Sequence, residues 1–501
     1  MAVFNAGLGR AKAAEGEPIY ELSFPSVEDL QALAITGYTC VYLGETGRSG
    51  VFVFDRSDLS VEIENDPQQG IHIAPSIDRT GSSGAWVRQY DDRIHAKWFG
   101  VVADGKTDDT EALQSAAAIA KRKKQDLILP SGNLWISDTI KLATSTYGAG
   151  EDFTCFDAMT ADFDVVIVED TADFLELRGF RVQSLMGLSS GRGFVFERNN
   201  NNILIERLLA VRFGIGFDLA ALNFVQAYRM LRADECTVGF SCDGRDTDNS
   251  GNGTSLTFQQ CYANDCRIAF DIRYVSSASF IQAIVDVKSS TSTCIKTLGV
   301  GAVNVYDFHF EGTPGFDGGY FDFTTVGNLG STLSIFGGYI DGADLTGRNF
   351  DVVRLAGHDD QVEINIHGLS SRKIVLDGND AFCLKNSTGA IKLNIHGSIY
   401  PTWSVDSLGV SGSFLVRDHT KEDTVPISSG TQSIQSGENI STGLNKRPIG
   451  LVQINHDSVI SGSIRPVITD RYSNGDMKIH FLDEKGAQVA SVPFSVAWVA
   501  W

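Results

Sequence analysis

The sequence predicts a mainly β protein whose central part is a parallel β-helix. A short pattern recurs between residues 233 and 342, its segments are rich in β-branched and aromatic residues, and helical spacing is absent. The aligned segments end at positions 234, 264, 286, 311 and 341, at intervals of 30, 22, 25 and 30 residues. A supersecondary unit of this length that recurs is the signature of a solenoid, with one coil per repeat.

The composition agrees with such a fold and argues against some classes of binding partner. The chain has 501 residues with 51 glycines, 11 prolines and 30 phenylalanines, which suits tight corners and stacked interior rings. Its formal charge of −21 argues against nucleic acid or an anionic membrane as a partner, while local basic patches could still meet an acidic polysaccharide. The eight cysteines show no CxxC pair or zinc spacing, so no metal and no cofactor are expected. Cys236 and Cys266 occupy equivalent repeat positions and are predicted to be stacked core thiols.

Residues 1–95 are predicted to form a separate small module. Ser26 is expected to cap a short helix that reaches Leu33, and strands are expected at Cys40–Leu43, Gly50–Phe54 and Gly84–Gln89. The N-terminus lacks a basic stretch followed by a long apolar run, so no signal peptide is expected. No apolar stretch approaches the length of a membrane span, so no membrane insertion is expected either.

A helix is predicted to follow the segment WFGVVADGKTDDTEALQ, residues 98–114. Asp108 can cap this helix, Glu111 stands at the capping-box position, and Asp109 favours the positive end of the helix dipole. The basic residues Lys121 to Lys124 would end the helix where cations are favoured. We expect the helix to cover the open end of the solenoid, which would otherwise expose a sheet edge.

The same segment carries a family resemblance. Together with the corner Leu129-Pro130-Ser131-Gly132 and the strand that starts at Leu134, it resembles the pectate-lyase-like superfamily found in phage tailspikes. The stretches 51–55 and 84–88 are also similar to phage tail proteins. The resemblance covers residues 50–142, and the repeats extend it to about residue 370. It implies a right-handed parallel β-helix over 96–410, assembled as a homotrimer.

Strand alternation places two columns of side chains on one outer face of the coils. The first column consists of Asp234, Asn264, Asp286, Glu311 and Asp341. The second column consists of Arg232, Tyr262, Ile284, His309 and Tyr339. Successive coils lie about 4.8 Å apart, so the acids are expected to raise each other's pKa. An ordinary sheet avoids such like-charge neighbours, which makes this face the candidate active site.

The acidic column suits glycoside hydrolysis. Carboxylates one coil apart, at about 5 Å, fit a retaining enzyme, and carboxylates two coils apart, at about 9 to 10 Å, fit an inverting one. We expect Glu311 to be the general acid, with Asp286 or Asp341 positioning water. Asp307 lies four residues before Glu311, about 13 Å along an extended strand, and is given a lesser role at the edge of the groove. The side chains expected to bind substrate are Asp234, Asn264 and Lys288.

His309 and Tyr339 leave a lyase reaction open on the same face. They could abstract the C5 proton of a uronic acid, while Arg232, Arg267 or Lys288 neutralises its carboxylate. Tyr262 and Arg232 are further candidates for holding the substrate in place.

The chain beyond Tyr400 is predicted to form a small C-terminal β-module over 411–501. Ser, Gly and Thr concentrate between 428 and 442, which predicts a linker or loop. Antiparallel strands are predicted at Ile449–Ile454, Ser463–Ile468, Met477–Leu482 and Val489–Val499, with a hairpin turn over Asp483–Gly486.

The resemblance implies a virion tail protein that acts at the host cell surface. Residues 1–95 would attach it to the phage baseplate or to another tail protein, and the C-terminal module would serve trimerisation or glycan binding. The expected function is recognition and cleavage of a bacterial surface polysaccharide: capsule, O-antigen or exopolysaccharide. A receptor-binding spike without turnover and a purely structural tail part remain alternatives.

Overall fold

The computed structural model describes two compact units, Met1–Asp157 and Ala158–Trp501. The described residues are 22–33, 39–159, 162–169, 175–197, 203–219, 226–245, 253–288, 290–312, 318–324, 331–341, 350–358, 362–372, 382–387, 391–396, 405–406, 414–418, 428–434, 439–441, 450–454, 465–471, 476–482 and 494–500. Within these ranges no helix is long and apolar enough to cross a membrane. The domain limits at 95/96 and 410/411 stay predictions.

The first unit contains a five-stranded sheet. The strand order across the sheet is Leu22–Phe24, Cys40–Leu43, Gly50–Asp55, Ala85–Gln89 and His72–Ile73. Short helices span Val27–Gln31 and Ser60–Glu64. The Ser26 hydroxyl accepts a hydrogen bond from the Asp29 backbone N–H at 3.1 Å, which confirms the predicted helix cap. The three predicted strands are present, the second extended to Asp55 and the third starting at Ala85.

The same unit contains the helix predicted after residue 98. This helix spans Thr110–Lys123 and buries Leu113, Ala116, Ile119 and Ala120. It packs against a 3-10 helix, Ala96–Phe99, and against several short strands. The remaining strands of this region are Arg93–His95, Asp104–Asp108, Asp126–Ile128, Gly132–Ile136, Ile140–Leu142, Thr146–Tyr147 and Thr154–Ala158.

The acids at the start of this helix have structural roles. The prediction that Asp108 caps the helix is wrong, because the cap position is taken by Asp109, whose side chain makes no capping hydrogen bond. The Asp108 carboxylate, one residue earlier, accepts a hydrogen bond from the Thr110 backbone N–H at 3.0 Å. Asp109 is buried and accepts from the backbone N–H groups of Val102 and Ala103 at 2.7 and 3.0 Å. Burial raises the pKa of Asp109, and these two hydrogen bonds oppose the rise. Asp109 therefore fixes the loop that leads into the helix.

The capping-box prediction for Glu111 is wrong. Its carboxylate accepts a hydrogen bond from Gln68 Nε2 at 3.0 Å, a residue 43 positions earlier in the chain. A tertiary partner thus replaces the local backbone contact that the sequence spacing suggested.

We expect Asp109→Ala to lower the free energy of unfolding by about 1–3 kcal/mol, because it leaves two backbone N–H groups without their acceptor. Asp109→Asn keeps one acceptor oxygen and should lose less. Because burial raises the pKa of Asp109, the wild type should lose stability relative to Asp109→Asn as the pH rises above about 4. Urea denaturation of the three proteins at acidic and neutral pH measures both effects, and an alanine variant as stable as the wild type would contradict the role.

The second unit is a parallel β-solenoid with two long sheets. The first sheet contains Glu176–Ser184, Leu204–Val211, Gln226–Arg229, Arg232–Asp234, Gly253–Gln259, Tyr262–Asn264, Val275–Ile281, Ile284–Val287, Ala302–Tyr306, His309–Gly312, Ser331–Phe336, Tyr339–Asp341, Val362–His367, Ser370–Arg372, Ile391–His396 and Phe414–Asp418. The second contains Val166–Val168, Arg192–Phe196, Ile215–Leu219, Val238–Asp243, Ile268–Arg273, Thr293–Leu298, Gly318–Thr324, Phe350–His358, Phe382–Ser387 and Val405–Asp406. The predicted parallel coils are therefore confirmed.

A sharp bend divides the first sheet from residue 226 onward. In each coil one residue with positive φ separates a longer strand from a shorter one. We call these residues the bend column: Met230, Gln260, Gln282, Asp307, Gly337 and Gly368, with φ between 49° and 69°. Non-glycine residues rarely adopt this conformation, so the column is imposed by the stacking of successive coils.

Stacked aromatic rings fill the solenoid. Phe217, Phe240 and Phe270 belong to successive coils of the second sheet, with ring centroids 5.0 and 4.8 Å apart and nearly parallel planes. Phe258 and Phe280 form a second stack under the first sheet, with centroids 5.2 Å apart. The two stacks meet edge to face, an arrangement that aromatic pairs favour.

The prediction that two cysteines of equivalent repeat positions lie in the core is confirmed. Cys236 and Cys266 are buried free thiols in neighbouring coils. The side chains predicted to face the core alongside them, such as Ala263, Val285 and Phe310, are buried as well.

Two antiparallel sheets of three strands each lie near the C-terminus. In one sheet Phe494–Ala500 is the central strand, with Ser428–Ile434 and Gly450–Ile454 at its sides. In the other sheet Asp476–Leu482 is central, with Asn439–Ser441 and Arg465–Arg471 at its sides. The linker predicted over 428–442 is wrong, because two strands lie there despite the Ser- and Gly-rich composition. The predicted hairpin is wrong too, since the strands on either side of 483–486 belong to different sheets. The turn residues themselves lie outside the described residues.

Candidate active site

The acidic column forms in the predicted register. Asp286 lies opposite Asn264 on one side and Glu311 on the other, and Glu311 in turn lies opposite Asp341. Asp234 lies opposite Asn264. Each member stands four residues after a bend-column residue, so the bend sets the register while the intervening loops vary in length. The structure thus places these residues opposite one another in consecutive coils, in the register that the repeats predicted.

The second column runs beside it, also in the predicted order. Register pairs join Arg232 to Tyr262, Ile284 to Tyr262 and His309, and His309 to Tyr339. Both columns lie on the three- or four-residue strands that follow the bend.

Two of the acids are paired with cations from their own chain segment. Arg232 contacts the Asp234 carboxylate through Nε at 2.8 Å and through a terminal nitrogen at 2.7 Å. The Arg232 guanidinium also lies 5.2 Å from the centre of the Tyr262 ring. Lys288 Nζ lies 2.8 Å from an Asp286 oxygen, and this hydrogen bond raises the pKa of Lys288. Alternation within each strand places these partners, because residues i and i+2 share one face.

Glu311 is in a different environment. Its side chain is 64% exposed, compared with 13% for Asp234 and 27% for Asp286. His309 Nε2 lies 3.8 Å from a Glu311 oxygen. Among the described residues this nitrogen is buried and lacks a hydrogen-bond partner. Glu311 is therefore an accessible carboxyl with a titratable imidazole at its side.

Two tyrosines flank these groups. The Tyr339 ring meets the His309 ring edge to face, with centroids 5.4 Å apart. Burial raises the pKa of Tyr262, and the charge of Asp286 adds to the rise. A tyrosine with a raised pKa is a hydrogen-bond donor at neutral pH, which suits the positioning of a sugar hydroxyl.

The geometry assumed for Asp307 is wrong. The strand that ends at Tyr306 does not continue to His309, because Asp307 occupies the bend with φ of 49°. The separation of an extended strand therefore does not apply between Asp307 and Glu311. Asp307 is exposed and accepts a hydrogen bond from Gln282 Nε2 at 3.4 Å, along the bend column.

Sequence reasoning missed a row of aromatic rings on the outer surface just before the bend. We call it the ring row: Tyr306, Phe336, His367 and His396. Consecutive centroids are 5.1, 4.9 and 4.3 Å apart, and the ring planes lie within 10° of parallel. Tyr306 and Phe336 each stand five residues before a member of the acidic column, Glu311 and Asp341, and this offset was the available signal once the bend was known.

No metal centre is formed by the described residues: nowhere among them do three or more His, Cys, Asp or Glu side chains converge on one point.

Comparisons by sequence return no match, either to protein-family models or to curated proteins. Comparisons by structure do. The enzymatically active domain of tailspike protein 2 from bacteriophage CBA120 superposes with a TM-score of 0.57 at 15% identity, covering 98% of this chain and 81% of that domain. The gp42 tailspike of Acinetobacter phage vb_AbaP_AS12 has a TM-score of 0.55 at 12% identity, covering 95% of this chain and 93% of the other.

A third structure, the enzymatically active domain of tailspike protein 4 from bacteriophage CBA120, has a TM-score of 0.53 at 12% identity. It covers 95% of this chain and 75% of that domain. At such identities the agreement is one of fold, and it extends over almost the whole chain. The chain therefore has the parallel β-solenoid fold of phage tailspike proteins.

Proposed function

We propose that this protein is a phage tailspike that binds and cleaves a bacterial surface polysaccharide by hydrolysis. The observation that carries the proposal is the position of Glu311 between Asp286 and Asp341, one coil from each, on an outer face. Two of the similar solved structures are named as enzymatically active domains of tailspikes, which supports an enzyme on this fold.

The environments of the acids support different roles for them. Glu311 is exposed and lies next to His309, which suits the general acid that protonates a leaving oxygen. Asp286 is held in place by Lys288, whose Nζ lies 2.8 Å from a carboxylate oxygen, and this suits a carboxylate that positions water or acts as the nucleophile. Asp341 is the second candidate for positioning water, two coils from Asp286. Asp307, at the bend, retains a role at the edge of the groove.

The ion pairs favour hydrolysis over the lyase alternative. A lyase must neutralise the carboxylate of a uronic acid, but Arg232 and Lys288 are already engaged by Asp234 and Asp286. An added carboxylate would have to compete with both aspartates or use the third candidate cation, the exposed Arg267. His309 and Tyr339 remain the residues that a lyase reaction would use.

The assembly of the protein is also a proposal. The fold supports a homotrimer in the virion tail, with residues 1–95 bound to the baseplate or to another tail protein. The C-terminal β-module would serve trimerisation or glycan binding. Analytical ultracentrifugation of the full chain tests the homotrimer, and a monomer would refute it.

Mass spectrometry of the reaction products tests the proposed chemistry. The purified protein is incubated with capsule or O-antigen from its host, and we expect oligosaccharides that have each gained one water. Products with an unsaturated, ultraviolet-absorbing end would instead assign a lyase that uses His309 and Tyr339. Intact polymer that remains bound to the protein would leave a receptor-binding spike, and intact polymer without binding would leave a structural tail part.

A further inference from the structure

The bend column carries exposed polar side chains at Gln260, Gln282 and Asp307, and glycines in the two coils that follow. The three polar side chains form a line along the solenoid. Gln260 Nε2 lies 3.2 Å from Gln282 Oε1, and Gln282 Nε2 lies 3.4 Å from an Asp307 oxygen. This line of side chains separates the acidic face from the face that precedes the bend, and it stops at Asp307.

The next two bend positions carry no side chain. Gly337 and Gly368 occupy them with φ of 69° and 65°. A Cβ atom placed on Gly368 would meet nothing within 4 Å, and one on Gly337 would lie 3.9 Å from the backbone of Asp307. The surface is therefore open here, and we call these two positions the glycine gap.

The ring row lies beside this gap. Phe336 directly precedes Gly337, and His367 directly precedes Gly368. The rings cover each other's faces, so they present their edges outward. Tyr306, the one member with a hydroxyl, is 39% exposed. Aromatic side chains with one apolar and one polar end are suited to surfaces that bind a partly polar ligand.

Apart from the Asp307 carboxylate, which follows Tyr306 at the bend, the described groups next to the ring row carry no net charge. A parallel column of Asn304, Ser334, Asn365 and Asn394 adjoins it. Asn394 Nδ2 donates to Asn365 Oδ1 at 2.6 Å. The nearby ions Glu363 and Lys392 neutralise each other at 2.9 Å. Ser334 and Asn394 are buried, so the half-buried amides of Asn304 and Asn365 are the neutral groups of this column that can meet the hydroxyl and amide groups of an uncharged sugar.

We propose that the polysaccharide, on leaving Glu311, crosses the bend over the glycine gap and binds the ring row with uncharged sugar units. This inference rests on the proposed function. It makes Phe336, His367 and His396 specificity-determining residues, and it gives the substrate a direction along the solenoid, from Glu311 toward the coils of residues 331–396.

Filling the gap tests the path. Gly368→Gln and Gly337→Gln place a side chain over it, and the backbone accepts glutamine because Gln260 and Gln282 adopt φ of 55° and 53° in the same column. Kinetics on the host polysaccharide should show KM raised by about tenfold or more with kcat within about twofold, since a blocked subsite distant from the reacting bond weakens binding alone. Met230→Gln, at φ of 52° on the Asp234 coil, is the matched control and should leave both constants unchanged.

Conservative changes in the ring row provide the second measurement. Phe336→Leu and His367→Gln should also raise KM while the melting temperature stays within a few degrees of the wild type. A wild-type KM in all four variants would overturn the path and leave the proposed hydrolysis intact. A changed oligomeric state in Phe336→Leu would assign the ring row to a subunit contact instead. A KM that rises steeply with salt would overturn the uncharged class of sugar, because only charged groups are screened.

The path can also be tested if the wild-type protein cleaves nothing. In that case the proposed hydrolysis fails, and the path over the glycine gap is tested by binding instead. The amount of intact polysaccharide retained on the immobilised protein is measured for each variant. Weaker retention by Gly368→Gln than by Met230→Gln supports the path, whereas equal retention overturns it.

Discussion

Glu311→Gln is expected to lower kcat on the host polysaccharide by about 10²- to 10⁴-fold, which is the contribution of a positioned general acid. The amide has the same size as the carboxyl group but carries no transferable proton. Because the Glu311 side chain is 64% exposed, its stability contribution is small and the melting temperature should not change. The rate is measured as reducing ends released per unit time, with KM determined in parallel.

The neighbouring acid provides a comparison. Asp286→Asn should also abolish release, and it removes the ion pair with Lys288, so a small loss of stability is expected as well. Asp243→Asn is the matched control, because Asp243 is an ion-paired carboxylate on the other sheet of the solenoid. The control should retain wild-type activity. If Glu311→Gln retains more than about a tenth of the wild-type rate, the loss falls below what general acid catalysis requires and the assignment of Glu311 fails.

Phe240→Ala is expected to have the largest effect on stability, about 3–5 kcal/mol of unfolding free energy. Its ring is fully buried and touches a ring above, a ring below and Phe258 at its edge, with centroids 5.0, 4.8 and 6.0 Å away. Removing it leaves a cavity in the middle of both stacks, which regularly spaced backbone cannot close. Because the coils on either side depend on each other, the loss should extend beyond the substituted coil.

Two further variants provide unfolding free energies with which the loss in Phe240→Ala can be compared. Phe240→Leu keeps most of the apolar volume and should cost less than Phe240→Ala. Met186→Ala changes a side chain that is 74% exposed and should cost about nothing, within about 0.5 kcal/mol. Denaturant unfolding, or the unfolding rate where refolding is incomplete, ranks the three variants. A Phe240→Ala protein as stable as Met186→Ala would show that the ring stack contributes nothing to the fold.

Several features of the solenoid followed from the sequence. The acidic column from Asp234 to Asp341 was predictable because strand alternation is a local property and every member stands at the same place in its repeat. The core residues and the buried thiols followed from the same alternation. Glycine is the residue type that most often adopts positive φ, but Gln282 at the bend could not be predicted, because glutamine does not mark this conformation.

The C-terminal strands show the opposite case. Ser428–Ile434 reads as a loop in the sequence, yet it pairs with Phe494–Ala500 along its whole length. A polar segment becomes a strand when an apolar strand from far along the chain supplies its hydrogen bonds, and composition does not report that partner. The predicted hairpin failed for the same reason, since local turn residues did not decide which strands pair.

The class of fold, the resemblance to tailspikes and the register of the acids can all be derived from the sequence, because repeats and strand alternation encode these features locally. The surroundings of those acids depend on the folded structure. It left Glu311 more exposed than Asp234 and Asp286, put Asp307 at a bend, and aligned the ring row next to the glycine gap. Such contacts depend on how consecutive coils stack across loops of variable length, and stacking is fixed by the packing of the whole solenoid rather than by any one repeat.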